Sequence, residues 1–61
     1  MALPKDPFML LSYVNTQLRD NYSSLEELAA TLGVNAEDIE NSLDGAGFTY
    51  DKDLNRFVSK Q

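Results

Sequence analysis

SSLEELAATLGVNAEDIENSL, residues 23–43, reads as two short helices joined by a tight turn. Ser24 suits the cap position, because its hydroxyl can accept an amide proton that the first helical turn leaves unbonded. Glu27, three residues on, is placed to reach back to the cap's own N–H. Leu25, Leu28, Ala29 and Leu32 then repeat at helical spacing, which predicts a helix over residues 25–32. Gly33 ends it, since glycine enters the left-handed conformation without steric cost. Asn35 caps the next helix, predicted over 36–44, and Asp38 stands where it could repeat the reciprocal bond. Val34 and Ile39 bracket that cap as a hydrophobic staple, and Ala36, Ile39 and Leu43 turn inward.

Upstream, Asp6-Pro7 opens another helix: the carboxylate can cap, and proline suits the first helical position. Leu10, Leu11, Val14, Leu18 and Tyr22 share a face, which predicts a helix over about 7–20. Downstream, Gly45-Ala46-Gly47 stops the third helix. Phe48-Thr49-Tyr50 and Arg56-Phe57-Val58 flank Asp51-Lys52-Asp53-Leu54-Asn55, the pattern of a β-hairpin over about 48–58. Asn55 is the residue expected in a left-handed conformation. An isolated hairpin is unstable in water, so Phe48, Tyr50 and Phe57 must pack on the helices. The expected fold is therefore mostly α: a single domain over 1–61, with three helices in a helix-turn-helix-like bundle and a C-terminal two-stranded hairpin. That order is the order of a minimal winged helix.

The chain has 61 residues, and a chain of this size buries only about 60% of the surface its unfolded form exposes. Apolar burial and an ordering cost of roughly 1.5 kcal/mol per residue nearly cancel, so few apolar side chains can be spared for a deep pocket. There is no Cys and no His, which removes disulfides, thiolate–zinc sites and the commonest general base. Residues 1–7 lack the basic stretch and long apolar run of a signal peptide. The longest apolar run, Phe8 to Leu11, is too short to span a bilayer. A cytoplasmic setting with no membrane contact is expected.

Net charge is −5, unevenly spread. Residues 24–44 carry Glu26, Glu27, Glu37, Asp38, Glu40 and Asp44 and no cation; Lys5, Arg19, Lys52, Arg56 and Lys60 all lie outside. A DNA-reading helix neutralises phosphates and offers Arg, Lys, Asn or Gln to base edges. The third helix instead offers four carboxylates. Only Lys52, Arg56 and Lys60 could act as a basic wing, with Asp51 and Asp53 partly cancelling them. Nucleic acid is therefore the lesser expectation, and a partner protein or a second copy of the chain the greater one.

No catalytic constellation emerges. The acids near helix starts have their ionised form favoured by the helix dipole, the opposite of what a proton donor needs. The serines have no evident base beside them. Asp51-Lys52-Asp53-Leu54-Asn55 copies the opening of a calcium loop, but Arg56 stands where that loop requires glycine. A turn-forming role for Asp51 and Asn55 is the simpler account. No enzyme, metal or cofactor is expected. Met9 and Tyr13 lie one turn apart on the first helix, away from its core face. They are either a contact patch for a partner or are covered by Tyr50 or Phe57 of the hairpin, and the chain's need for burial favours cover. Arg19 is expected to pair with Asp20, Asp6 or the acidic helices.

The run LPKDPFMLLSYVNTQLRDNYSSL, residues 3–25, together with Tyr50-Asp51 and Asn55-Arg56-Phe57, resembles a family of very short bacterial proteins known only as a domain of unknown function. The resemblance implies a bacterial, stand-alone, cytoplasmic protein. It brings no activity or ligand with it, and it directs attention to Lys5, Asp6, Asn15, Arg19, Asp20 and Tyr22.

Overall fold

A computed structural model describes residues 3–60; Met1, Ala2 and Gln61, the extremes of the expected domain, lie outside the described residues. Helix α1 runs Pro7–Asp20, α2 Leu25–Leu32 and α3 Ala36–Asp44, followed by strands β1 Phe48–Asp51 and β2 Arg56–Ser59. The protein is thus mostly α with a C-terminal hairpin, and all three helices have the expected limits.

Local chemistry sets those limits. The Asp6 carboxylate accepts from the Phe8 and Met9 amides at 2.8 and 3.3 Å, with Pro7 in the first turn. At the other end of α1, Asn21 returns its backbone N–H to the Gln17 carbonyl and its side-chain amide to Gln17 Oε1. Ser24 Oγ accepts from the Glu27 amide at 3.1 Å. The reciprocal half of that box is diverted, because the Glu27 carboxylate takes the Ser23 hydroxyl proton at 2.8 Å. Gly33 has φ 72°, and the Val34 N–H reaches back to the Ala29 carbonyl, closing α2. Asn35 Oδ1 accepts from the Glu37 amide at 3.4 Å. No reciprocal bond from the Asp38 side chain is present among the described residues; aspartate is one methylene shorter than the glutamate that usually makes it.

The core is Leu10, Val14 and Leu18 from α1, Leu25, Leu28 and Ala29 from α2, Ile39 and Leu43 from α3, and Phe57 from β2. Leu11, Tyr22, Leu32, Val34 and Ala36 are half-buried at its margin. Phe57, only 2% exposed, is the hairpin's anchor. Burying such a side chain contributes about 1.5–3 kcal/mol. Its ring meets that of Tyr50 at 5.4 Å.

The strands pair antiparallel, with Phe48 opposite Ser59, Thr49 opposite Val58, Tyr50 opposite Phe57 and Asp51 opposite Arg56. Asp51 Oδ1 accepts from the Asp53 and Leu54 amides at 2.9 and 3.2 Å, the turn-forming role read from the sequence. Asn55 has φ 53°, as expected.

Candidate functional site

The hairpin docks through polar side chains as much as through Phe57. Asn15 faces the outer edge of β2. Its Nδ2 donates to the Phe57 carbonyl at 3.1 Å, while its Oδ1 accepts from the Phe57 N–H at 2.7 Å. One side chain thereby fills the place a neighbouring strand would take. Asn55 does the same for helix ends. Its Nδ2 donates to the Leu18 carbonyl at 3.1 Å, which the end of α1 would otherwise leave unbonded, and to the Tyr22 carbonyl at 3.0 Å in the link to α2. Its Oδ1 accepts the Tyr50 hydroxyl proton at 2.7 Å, and the Tyr50 oxygen in turn accepts from the Leu25 amide at 3.3 Å. A continuous chain of bonds therefore joins the end of α1, the start of α2, β1 and the turn that leads into β2. Asn15, Tyr22 and Asp6, singled out by the family likeness, all have structural work within these bonds and caps.

Arg19 pairs with its neighbour, Nε to Asp20 Oδ1 at 2.9 Å and the second nitrogen to Oδ2 at 3.1 Å. The hydrogen bond from Arg19, aided by its charge, holds the Asp20 carboxyl below its ordinary value; the same bond raises the Arg19 guanidinium. Both side chains are largely in solvent, so the pair contributes little to stability.

The structure separates the residues considered for contact. Met9 is 63% exposed and Phe8, beside it, 65%; neither Tyr50 nor Phe57 covers Met9. Tyr13 instead packs half-buried against the core. One turn of helix carries Met9 towards solvent and Tyr13 onto the rim. Phe8, an aromatic the helical periodicity left without a role, stands edge-on to Phe48, with ring centroids 6.2 Å apart. The exposed apolar pair on α1 is thus displaced one residue towards its start; Leu54, in the hairpin turn, is the other large apolar side chain exposed to a similar degree among the described residues. Of the three wing cations, Lys52 and Arg56 are exposed, while Lys60 forms an ion pair with Asp44 of α3.

Surface depressions flank the hairpin on both sides. One of about 550 Å³ lies between α1 and the hairpin, with Ser12, Thr16, Arg19, Leu54 and Arg56 on its walls. Others follow the opposite side of the hairpin, where β1 meets α3. Among the described residues no three His, Cys, Asp or Glu side chains converge to hold a metal ion. No helix among them is long and apolar enough to cross a membrane.

The family model described as Domain of unknown function (DUF4250) matches residues 4–57. The chain belongs to that family. No curated protein and no solved structure matches it. The matched region runs from just before the Asp6 cap to Phe57, and so includes both asparagines that tie the hairpin to the helices.

Proposed function

We propose that this chain is a noncatalytic protein-interaction module that holds a partner protein through a surface centred on Phe8 and Met9. The observation that carries the reading is their exposure. A chain this short has to bury nearly every apolar side chain to fold, yet two large ones stand adjacent in solvent at the start of α1. Aromatic residues and methionine are enriched where proteins meet. Tyr13 borders the patch and Phe48 supports the Phe8 ring from below. Asp6, Ser24, Asn35, Asp51, Asn15 and Asn55 serve caps, turns and hairpin docking. The setting proposed, on the family likeness, is the bacterial cytoplasm. A net charge of −5 sets copies of the chain against one another and favours a different protein as the partner.

The competing reading is a winged-helix-like regulator that touches nucleic acid through Lys52, Arg56 and Lys60. Engagement of Lys60 by Asp44 and the carboxylates of α3 weigh against it. A tagged chain used to recover partners from native extract, with and without nuclease, tests the two together. The expected result is a protein that survives nuclease and is lost when Met9→Asp replaces the exposed side chain. A monomer in sedimentation that recovers no protein, or a chain that binds labelled duplex at low salt, overturns the proposal.

A further inference from the structure

The hairpin's two outer edges are treated differently by the fold. On β2, the Phe57 N–H and C=O point away from β1 and are taken by Asn15. Antiparallel pairing alternates, so the residue opposite, Tyr50, also directs its backbone groups outward, as does Phe48 two positions earlier. The Lys60 N–H bonded to the Gly47 carbonyl confirms this phase. Among the described residues nothing plays for β1 the part that Asn15 plays for β2. The backbone N–H and C=O groups of Phe48 and Tyr50 therefore stand unbonded along an open edge, a template for another strand.

That edge looks into a groove. Two adjoining depressions, about 280 and 420 Å³, run between β1 and α3 and share Glu40 and Tyr50. Their walls carry Glu26, Glu40 and Asp44 against Lys52, with Asp44 also engaged by Lys60. Neither α2 nor α3 contributes a cation. At the start of β1, Phe8 rests on Phe48, so the exposed apolar pair lies at one end of the same edge. A second copy of the chain would bring its own α3 carboxylates against these, which excludes symmetric pairing of two β1 edges as the favoured arrangement.

We propose that β1 takes up an extended basic segment of a partner protein as a third strand. Main-chain bonds to Phe48 and Tyr50 supply the attachment, and alternate Lys or Arg side chains facing Glu40 supply the selectivity. This rests on the interaction reading above and names the class of partner.

The test uses the full chain and a short, capped, alternating lysine–valine peptide. An aspartate–valine peptide of equal length and a backbone N-methylated lysine–valine peptide serve as controls. Amide hydrogen exchange is followed residue by residue. The expected result is that the lysine–valine peptide slows exchange at Phe48 and Tyr50 by about tenfold or more, as formation of new strand bonds requires. Neither control does so, and Glu40→Lys, a change at an exposed position, abolishes the slowing while circular dichroism stays unchanged. Unchanged exchange at Phe48 and Tyr50, or equal slowing by the aspartate–valine or N-methylated peptide, overturns strand addition. If that happens while a partner recovered from extract is still lost in Met9→Asp, the interaction reading stands and strand addition alone fails.

Discussion

Replacing Asn15 with alanine deletes both bonds that close the outer edge of β2, at 3.1 and 2.7 Å, and leaves the Phe57 N–H and C=O without a partner. A bond of this kind contributes about 0.5–1.5 kcal/mol net, and a buried group left unbonded costs about 1–3 kcal/mol. The bonds are part-buried, so water can reach some of the exposed backbone and the lower range applies. The loss expected is about 2–3 kcal/mol. At roughly 0.05–0.15 kcal/mol per residue, a domain this small has only about 3–9 kcal/mol in all. A loss of this size lowers the melting temperature by roughly 10–20 °C, at about 4–8 °C per kcal/mol. Urea unfolding followed by far-ultraviolet circular dichroism measures it, with the slope against urea unchanged if only stability has moved. Asn15→Asp keeps the acceptor for the Phe57 N–H and loses the donor, so it should fall between wild type and Asn15→Ala near neutral pH. A loss below about 0.5 kcal/mol in Asn15→Ala, the size of an ordinary surface change, would refute the role assigned to this side chain.

Asn55→Gly retains the left-handed backbone but removes the bonds to Leu18, Tyr22 and Tyr50, so unfolding should show a loss of about 2 kcal/mol despite the easier φ. Gly33→Ala meets no atom within 4 Å of the added carbon, so its cost is conformational alone, about 1–2 kcal/mol by the same assay. Asp20 should titrate by NMR below a free aspartate and return towards it in Arg19→Gln. Because its folded value is depressed, any stability it supplies is present above the unfolded value and lost as pH falls through the folded one; the pair's exposure keeps that contribution small.

Helix limits were legible because their causes are local. Asp6, Ser24 and Asn35 cap residues two or three positions away, and Gly33 and Asn55 declare a left-handed backbone by residue type. Two finer readings of the same kind gave way to neighbours: Ser23 took the Glu27 carboxylate, and Asp38 is too short for its bond. The contact patch was legible only in part. Spacing alone put Met9 and Tyr13 together, but whether either is covered depends on where the hairpin lies. Phe8, half of the exposed pair, lacked any signal beyond its place in an apolar run.

By itself, the amino-acid sequence determined the order and ends of the five elements, the apolar stripes and the uneven charge. These depend on bonds and contacts spanning a few residues, where chain connectivity leaves little choice. Only the tertiary structure decided which side chains bridge distant segments. Asn15 meets Phe57 across 42 positions and Asn55 meets Leu18 across 37. Either asparagine could have faced water without disturbing its own helix or turn. Packing Phe57 into the helices brings bare backbone beside them, and that backbone is what gives their amides a purpose.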